Sequence, residues 1–543
     1  MRRPQRLQSA GPACVSMWVT AADRRYRAAL RDVWTIRSTD RAVGLALAGA
    51  ALGLGLLKLP GKSLWGDEVF SVQLVSTSWP VFWQFVSEHE ANMVLYHLVL
   101  RAWLGLTGAL GLAPDEIIVR VPSVVFGAAA VVLVYAIGRR WWGRTVGIVA
   151  ALLLMLNQLQ LLAAREARSY SLEVFLVCLG WYALLVAVES DRHARRWWFA
   201  FAAAMSLAVY AHLFSGLVLV AQGLAGGALL VLPTEWRAHA RRSLPAAIAS
   251  FGAIGLAVLP LAVYTLRHGS TNPQIGPAGI GDVARLIWNI AGHDVVFGTV
   301  LGVTVAVAIA VTARAARGRD PERKIPVAPA VALASWLIVP VALSYAATQP
   351  RLNLHLFAWG YLVVVVPALC VFAAIGVIAI RRRLLRVALV VALVTGAAFA
   401  TPEYSSPPEQ DFRTASLWIA ERYLPGDGLV TTSWSSGLGM AYYARLGGLP
   451  DELVTGAPTP WSWARGGAIP LDRGAVDIYV AQHPRVFMVD SLLTGDAPAV
   501  KAQARDVESW LDTSYRLLGE VVVRSSLGPV RVRLYETAHP AYL

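Results

Sequence analysis

The sequence is poor in charge, in cysteine and in lysine, and each shortage excludes a class of protein. Only 15% of its 543 residues are charged, while 56% are hydrophobic, whereas a soluble globular chain carries about 25% charged residues. With a mean hydropathy of +0.53, the chain does not fit that soluble class. The three cysteines are Cys14 in the N-terminal tail and Cys178 and Cys370 in apolar runs. Such spacing indicates neither a disulfide framework nor a zinc site.

Basic residues are abundant, but they do not indicate a nucleic-acid partner. The net charge is +14, and only four of the 48 basic residues are lysine. The arginines cluster in short loops between apolar runs, where cytoplasmic loops of membrane proteins carry their positive charge. The preference for arginine, with abundant alanine and glycine, points to a GC-rich bacterial genome. We therefore predict an all-α polytopic protein of the bacterial plasma membrane, with the bilayer as a partner and no nucleic acid.

The apolar runs number about eleven, each close to the length that spans a bilayer. Under this count every short basic loop falls on one side, which we assign as cytoplasmic together with the N-terminal tail. The first run follows a charged leader that is too long for a cleaved signal peptide, so we expect a retained anchor. The runs are 43–60, 118–138, 145–163, 172–189, 197–213, 214–232, 245–265, 295–313, 325–347, 361–380 and 387–402. The basic loops lie at 139–144, 192–196, 237–242, 314–324 and 381–383.

The extracytoplasmic side then receives the longer loops and the C-terminal tail. Loop 61–117 is too apolar for a linker, and its apolar residues recur at helical spacing, which predicts amphipathic helices at the membrane interface. These residues are Val81, Phe82, Phe85, Val86, Leu95, Leu98, Val99, Ala102 and Trp103. The other segments on this side are 164–171, 267–294, 348–360 and the tail. The chain thus divides into a basic tail 1–40, a transmembrane domain 41–402 and a soluble domain 403–543.

The segment 403–543 has the pattern of a small extracytoplasmic α/β domain. Prolines end the last apolar run, an amphipathic helix is predicted over 411–424, and Pro425-Gly426-Asp427-Gly428 predicts a turn. Strands are predicted at 429–432, 485–490, 520–524 and 530–535. This domain either binds the acceptor or shields the site, or it serves as a stability element or a dock for a partner.

The acidic pair Asp67-Glu68, just after the first apolar run, is the most informative polar feature. Acidic side chains at a membrane boundary are costly to desolvate, and such residues usually have a function. A hydroxyl group is a poor nucleophile until a base removes its proton, which a carboxylate can do. Trp65 and Phe70 flank the pair with aromatic rings of the kind that line sugar sites. We therefore predict catalytic roles for Asp67 and Glu68. The alternative is a pair of helix N-terminal acids favoured by the macrodipole.

A second polar segment in the same loop, 88–97, offers His89, Asn92 and His97 as ligands for the sugar or its phosphate. The alternative is ordinary loop chemistry, with Asn92 as a helix cap.

A third segment places three charges between two apolar runs, which is costly unless they are paired or functional. If helix continued through this turn, Arg165 and Arg168 would share one face, and Glu166 and Tyr170 another. A phosphate-binding arginine would then lie beside a sugar-binding acid. The alternative is an interfacial ion pair with snorkelling arginines.

Two single residues complete the candidate set. His212 ends the fifth run, and the alternative to substrate binding is a structural histidine. Arg351 lies in a polar loop before the tenth run, as a second candidate for the donor phosphate or as plain loop charge.

In chain order, the acidic pair, Asn92-Met93-Val94-Leu95-Tyr96, Glu166-Ala167-Arg168-Ser169-Tyr170 and Tyr210-Ala211-His212 resemble the GT-C superfamily of membrane glycosyltransferases. Within it, the sequence resembles the family of dolichyl-phosphate-mannose protein mannosyltransferases and aminoarabinose transferases, mainly over residues 60–215. It implies a polyprenyl-phosphate sugar donor, an inverting displacement and an extracytoplasmic site. By motif, Asp67 would be the base, Glu68 and Glu166 would hold acceptor, sugar or a metal, and Arg168 would lie near the donor phosphate.

Two departures from the family pattern leave the donor open. Gly360-Tyr361 stands where relatives often have Arg-Tyr before a proline, and Glu90-Ala91-Asn92-Met93 stands where many have His-Pro-Pro. Mannose, arabinose and aminoarabinose all stay possible sugars, and a protein hydroxyl, a lipid or a wall glycan possible acceptors.

The chemistry of the leaving group agrees with the resemblance. A lipid phosphate departs as a stable anion, so one base and cations near the phosphate suffice. A divalent cation such as Mg or Mn, held by Asp67, Glu68 and Glu166, could serve as well.

Two other functions compete with a transferase. A transporter or flippase of lipid-linked sugars would place polar residues near the membrane midplane, whereas these candidates lie at one face. A non-catalytic membrane scaffold would leave the acidic pair and the arginine-rich turn without a role.

Overall fold

The computed structural model describes residues 38–190, 194–268, 276–317, 326–352, 354–493 and 498–538. Nearly all of the predicted tail 1–40, Cys14, and parts of the basic loops at 192–196 and 314–324 lie outside these ranges. All eleven predicted runs overlap helices of the membrane domain, and the run 145–163 overlaps two consecutive helices. These helices are α1 (Ser38–Leu56), α5 (Val121–Trp142), α6 (Arg144–Leu156), α7 (Gln158–Ala164), α8 (Tyr170–Glu189), α9 (Ala194–Ala211), α10 (Ser215–Val231), α11 (Arg237–His268), α13 (Val295–Ala316), α14 (Val327–Ala347), α15 (Val366–Ile378) and α16 (Arg383–Phe399).

Eight helices in the described ranges are long and apolar enough to cross a membrane. The pair α6 and α7, bent by 65°, makes a ninth if it counts as one span. The remaining two runs correspond to α9 and to α10, which is a shorter apolar helix of 17 residues. The predicted multi-pass architecture is therefore confirmed, whereas the count of eleven spans is not.

The bend between α6 and α7 has a local cause in Asn157. Its backbone is extended, and its side-chain oxygen accepts the N–H groups of Leu159 and Gln160 at 3.0 and 3.4 Å, so it caps α7. Its amide nitrogen donates to the carbonyl of Ile290 at 3.0 Å. The bend redirects the chain immediately before the predicted arginine-rich turn.

Glycines allow the membrane helices to pack closely, as small residues do in lipid. A Cβ atom on Gly138 of α5 would lie 2.7 Å from the Cα of Gly147 of α6. A Cβ on Gly376 of α15 would lie 1.8 Å from the carbonyl oxygen of Thr304 of α13. No larger residue fits either position without separating the helices.

Loop 61–117 is helical, as its periodicity predicts. It contains α2 (Gly66–Ser76), α3 (Trp79–Glu88) and α4 (Val94–Ala109). Phe82 and Phe85 of α3 are buried, which agrees with the apolar face assigned to them. A further helix, α12 (Ile280–Ile290), lies in the predicted loop 267–294.

The C-terminal segment contains a four-stranded mixed sheet with the order β1-β4-β6-β5. β1 and β4 are parallel, and the other pairs are antiparallel. The predicted strand 485–490 matches β4, whereas β5 begins earlier than predicted and the predicted helix 411–424 ends at Ala420. The strands are β1 (Gly428–Thr431), β4 (Arg485–Asp490), β5 (Arg516–Val523) and β6 (Val530–Glu536), with a separate hairpin of β2 (Trp461–Ser462) and β3 (Gly467–Ala468). The helices are α17 (Phe412–Ala420), α18 (Trp434–Leu446), α19 (Asp451–Val454), α20 (Arg473–Ala481) and α21 (Pro498–Ser514).

This C-terminal domain is hydrogen-bonded to the segment that precedes α2. The backbone N–H of Leu64 donates to the hydroxyl of Tyr443 at 2.7 Å. The N–H of Gly66 donates to the side-chain oxygen of Gln410 at 2.8 Å. The acidic pair therefore lies where the C-terminal segment meets loop 61–117.

Candidate active site

Glu68 is fully buried and fully paired. Its two carboxylate oxygens accept from Nε and Nη2 of Arg120 at 2.7 and 2.6 Å. They also accept the backbone N–H of Ala167 at 2.7 Å and that of Trp65 at 3.4 Å. The remaining nitrogen of Arg120 donates to the carbonyl of Lys62 at 2.7 Å. Glu68 thus ties α2 to the start of α5 and to the turn after α7.

Asp67 has a different environment, although it is the adjacent residue. Its side chain is 34% exposed, and its Oδ2 atom lies 3.3 Å from Nη2 of Arg168. The Arg168 Nη1 atom reaches the Asp67 carbonyl and the Ser71 hydroxyl only at 3.4 Å. The Arg168 Nε atom is buried and has no hydrogen-bond partner among the described residues. This carboxylate and guanidinium are close but loosely satisfied, as expected for groups that await a ligand.

The turn 165–169 separates the two arginines that a continuous helix would have aligned. The helix ends at Ala164, so the predicted shared face of Arg165 and Arg168 is wrong. Arg165 is buried and donates to the carbonyls of Leu54, Gly55 and Leu57 at the end of α1. A guanidinium at these orphan carbonyls acts as a helix C-terminal cap. Arg168 alone faces Asp67.

Burial acts in opposite directions on the pKa values of two charged residues in this turn. The pKa of Arg168 is raised, because the negative charge of Asp67, with smaller contributions from Tyr170 and Glu90, outweighs the opposing effect of burial. The pKa of Glu166 is raised well above its usual value by burial, then by the negative charges of Glu409 and Glu68. Glu166 therefore favours its protonated form, while Arg168 stays cationic.

Glu403 and Glu409 of the chain after α16 approach this turn from the soluble side. Glu403 is buried and pairs with Lys62 and with Arg165, the latter at 3.4 Å. Burial raises the pKa of Glu409 to about 8, against the lowering effect of Lys62. Neither acid carries a sequence motif, so their approach was not predicted.

Glu90 is another acid of the site that the sequence motifs did not identify. It is partly buried in the turn after α3. Burial raises its pKa to about 7, partly offset by the positive charge of Arg168 and reinforced by Asp67. It lies in Glu90-Ala91-Asn92-Met93, the stretch in which this chain departs from the His-Pro-Pro pattern of the family. That departure is the feature of the sequence that could have indicated Glu90.

His212 lies in an aromatic cluster with Tyr170 and Tyr361. The ring of His212 is 5.7 Å from that of Tyr170 and 4.8 Å from that of Tyr361. Its Nδ1 atom accepts the N–H of Phe214 at 3.2 Å, which assigns the ring proton to Nε2 in the neutral imidazole. That Nε2 atom is buried without a hydrogen-bond partner in the described ranges. Tyr361 directly follows Gly360, the position at which the arginine of the family pattern is missing. It belongs to the same cluster as the predicted site residues Tyr170 and His212.

The other predicted ligands are dispersed. Asn92 is buried and accepts the N–H of Leu213 at 3.0 Å, and the cap of α4 is Met93 instead, with a φ of 68°. His97 is fully buried, and its ring lies 6.3 Å from that of Phe70. His89 is exposed, stacks near Phe85 at 5.3 Å, and lies against Gly466 of the β2–β3 hairpin.

Arg351 lies in the turn after α14 and is exposed. None of the ion pairs found in the described part of the chain joins it to Asp67, Glu68 or Glu166. A role for Arg351 at the donor phosphate stays a prediction.

The predicted metal set does not converge. Within the described ranges, no three His, Cys, Asp or Glu side chains are placed to hold a metal ion. Glu68 is occupied by Arg120, and Glu166 favours its neutral form. Asp67 is partly exposed and is the member of the set with room for a further ligand. A cation at this site stays a prediction.

Comparison with known proteins identifies the fold. A family model for dolichyl-phosphate-mannose-protein mannosyltransferases matches residues 97–264. No curated protein matches the sequence significantly. The fold resembles ArnT from Cupriavidus metallidurans in the apo state, with 14% identity, a TM-score of 0.58, and coverage of 91% of this chain and 98% of ArnT. ArnT bound to undecaprenyl phosphate gives 15% identity, a TM-score of 0.53 and coverages of 92% and 98%.

An archaeal oligosaccharyltransferase, AglB from Archaeoglobus fulgidus in complex with an inhibitory peptide and a dolichol-phosphate, gives 12% identity and a TM-score of 0.52. It covers 84% of this chain and 70% of AglB. These likenesses confirm the predicted GT-C architecture and the resemblance to mannosyltransferases and aminoarabinose transferases at the level of fold.

Proposed function

From the fold that the chain shares with ArnT and AglB, we propose that it is a glycosyltransferase. It moves a sugar from a polyprenyl-phosphate donor to a hydroxyl acceptor at the extracytoplasmic face of the membrane. The loosely satisfied pair of Asp67 and Arg168, beside the fully paired Glu68, is the observation that carries this proposal. The undecaprenyl phosphate in one ArnT structure and the dolichol-phosphate in AglB support a lipid phosphate as the carrier.

Asp67 is the general base in this proposal. Its carboxylate takes the proton of the acceptor hydroxyl as the acceptor oxygen attacks the anomeric carbon of the donor. The bond from that carbon to the phosphate oxygen breaks, and its electron pair leaves with the polyprenyl phosphate. One displacement of this kind inverts the anomeric centre. The proton stays on Asp67 until solvent removes it.

Arg168 stabilises the departing phosphate. Its raised pKa keeps it cationic, and its long contacts to Asp67 and Ser71 leave donors that a phosphate can use. A guanidinium matches phosphate geometry better than an ammonium group does. When the phosphate binds, Arg168 loses its hold on Asp67, which frees the carboxylate to act as a base.

His212, Tyr170 and Tyr361 bind the donor on the membrane side of Arg168. The unpartnered Nε2–H of His212 is a hydrogen-bond donor for the phosphate or for a sugar hydroxyl. Both tyrosines come from the ends of membrane helices, α8 and the turn before α15, where a lipid-linked donor enters.

Glu68 acts as a positioning residue rather than a catalytic one. It fixes the start of α2 through Arg120 and Ala167, and thereby fixes Asp67. Arg165 and Asn92 act similarly on the end of α1 and on the turn after α9.

The test is sugar transfer by purified protein in detergent, with a panel of polyprenyl-phosphate mannose, arabinose and aminoarabinose, comparing wild type with Asp67→Asn. We expect Asp67→Asn to lose activity about 10²–10⁴-fold, the usual contribution of a general base. Its melting temperature should be unchanged, because the amide can still accept a hydrogen bond from Arg168. Glu88→Gln, an exposed acid at the end of α3, is the matched control and should retain full activity.

Retained transfer by Asp67→Asn would contradict the assignment of the base. Movement of intact lipid-linked sugar across vesicles by wild type, with neither transfer nor hydrolysis, would instead identify a transporter. Neither activity in any donor or vesicle assay would favour a scaffold.

A further inference from the structure

Four aromatic side chains meet where the C-terminal domain contacts α2. Phe70 of α2 stacks on Trp463 at 5.9 Å with 29° between the ring planes, and it meets the edge of Trp461 at 5.8 Å. Trp461 lies 5.0 Å from Trp463 and 5.9 Å from Trp434. We call Phe70, Trp434, Trp461 and Trp463 the aromatic wall.

The aromatic wall adjoins the proposed base. Phe70 follows Asp67 by three residues on α2, so both project from neighbouring positions on one side of the helix. Trp434 touches the residue before Asp67: a Cβ atom on Gly66 would lie 3.2 Å from its ring. The wall is therefore within one helical turn of Asp67.

All four wall residues keep part of their surface exposed, although they lie between two packed layers. Structural aromatic residues nearby are fully buried, as Phe82 of α3 and Phe412 of α17 show. The indole Nε1 atoms of Trp461 and Trp65 are buried without a hydrogen-bond partner in the described part of the chain, as are those of Trp141, Trp142, Trp181 and Trp198, so the exposed ring surface rather than the indole N–H distinguishes the wall.

The partly open rings suit a sugar ring. One face of a pyranose or furanose presents C–H groups that stack on an aromatic ring. A pocket with aromatic walls and few placed polar groups is the usual form of a small-molecule site. A peptide acceptor would instead be expected to need free backbone-bonding groups or a sheet edge. The β2–β3 hairpin supplies two of the rings.

The direction of approach separates acceptor from donor. Arg168, Tyr170 and His212 come from the ends of membrane helices, where a lipid-linked donor arrives. Trp434, Trp461 and Trp463 come from the soluble domain. We infer that the C-terminal domain provides an acceptor subsite, in which the aromatic wall stacks a sugar ring of a carbohydrate acceptor and presents its hydroxyl to Asp67. This inference rests on the proposed function and makes the acceptor a glycan or glycolipid rather than a protein hydroxyl.

His89 lies beside the hairpin that carries Trp461. Gly466, with a φ of +76°, approaches the His89 imidazole so closely that a side chain at position 466 would require this ring to move. The predicted sugar ligand His89 is therefore a neighbour of the aromatic wall.

The experiment compares Trp463→Ala and Trp463→Phe with wild type in full-length protein. Three readouts are taken together: transfer to alkyl-linked mannosides, arabinosides and glucosamine disaccharides, transfer to serine- and threonine-containing peptides, and hydrolysis of the donor by water. Trp510→Ala is the control, because Trp510 is a tryptophan of the same domain that lies under Arg473 in a separate cluster.

We expect Trp463→Ala to raise the KM for the glycan acceptor about tenfold, the scale of one lost aromatic contact. Donor hydrolysis and donor KM should change less than twofold, and Trp463→Phe should keep most of the affinity. Trp510→Ala should match wild type. Binding of the same glycans to the inactive Asp67→Asn protein, with and without Trp463→Ala, gives the result directly if turnover is slow.

An unchanged glycan KM in a folded Trp463→Ala protein would overturn the inference, as would wild-type transfer to peptides but not to glycans. In both cases donor turnover persists, so the proposed function survives. Loss of all donor turnover in wild type would contradict the proposed function, and the acceptor subsite with it.

Discussion

Two acid–guanidinium pairs lie side by side in this protein, and they differ in every physical respect. Glu68 and Arg120 form a dry pair with contacts of 2.6 and 2.7 Å and side chains that are 0% and 1% exposed. Asp67 and Arg168 form an open pair at 3.3 Å, with side chains that are 34% and 9% exposed. The dry pair has no capacity left for a ligand, whereas the open pair has.

The difference arises from helix geometry. Successive residues of an α-helix project about 100° apart, so Glu68 turns toward α5 and the turn 165–169 while Asp67 turns toward the space beside Arg168. An acidic pair in a sequence is therefore two positions with separate roles. The residue with fewer partners is the one to assign to chemistry.

The strongest way to break the dry pair is Glu68→Ala. Removing one partner of a buried ion pair leaves an uncompensated charge and costs about 3–5 kcal/mol. We expect a large fall in the yield of monodisperse protein and in its melting temperature in detergent. Glu68→Leu combined with Arg120→Met should recover part of the loss, because it removes both charges; no recovery would mean that Arg120 is held by its backbone contacts alone.

The open pair should respond in activity rather than in stability. Arg168→Ala removes a cation from the leaving phosphate, and kcat should fall about 10²–10³-fold, as when one transition-state donor is deleted. The melting temperature should change little, since water can solvate the partly exposed Asp67. Arg168→Lys should lie between the two. The measurement is steady-state transfer with the preferred donor. A large loss of stability in Arg168→Ala would instead show that Arg168 is structural, like Arg120.

Glu90 offers a pH test at the edge of the open pair. Its pKa rises from 4.5 to about 7 on folding, so the folded state keeps a proton that the unfolded chain has lost. Stability therefore falls as the pH rises from 4.5 to about 7 and stays lower above it, by about 1–3 kcal/mol. Glu90→Gln should melt higher than wild type at pH 8 and equally at pH 5. Equal melting temperatures at both pH values would show that Glu90 is solvated when charged.

Arg351 sets the lower limit of the comparison. It is exposed and is a member of neither pair, so Arg351→Ala should change kcat/KM less than twofold and stability by less than about 0.5 kcal/mol. A tenfold rise in the donor KM would move part of the phosphate site to loop 348–360.

Much of the architecture could be predicted from the sequence. Apolar runs located the membrane helices, helical spacing located α3 and α4, and β-rich segments located all four strands of the mixed sheet, although β5 begins earlier than predicted. The order of motifs around Asp67, Arg168 and His212 predicted the fold that the chain shares with ArnT.

The partners of these residues could not be predicted in the same way. Arg120 lies in the predicted run 118–138 and belongs to none of the motifs, although it pairs with Glu68 across 52 positions of sequence. The turn at 165–169 interrupts a pattern that fits a helix, because Asn157 bends the chain and Arg165 is taken by α1. Trp461 and Trp463 lie in a short hairpin without periodicity. Long-range pairing, which no local pattern encodes, decides all three cases.

The hydrogen bonds from Leu64 and Gly66 to the soluble domain also impose an order of assembly. Gln410 and Tyr443 follow these residues by 344 and 379 positions, so they leave the ribosome long after the catalytic segment has been synthesised and inserted. Until the last domain folds, the backbone beside Asp67 lacks two of its anchors. A nascent or truncated chain would thus contain a complete membrane domain in which the backbone beside Asp67, the proposed base, is not yet fixed. Under the proposed function, transfer from a lipid-linked donor would begin only when the C-terminal domain has folded.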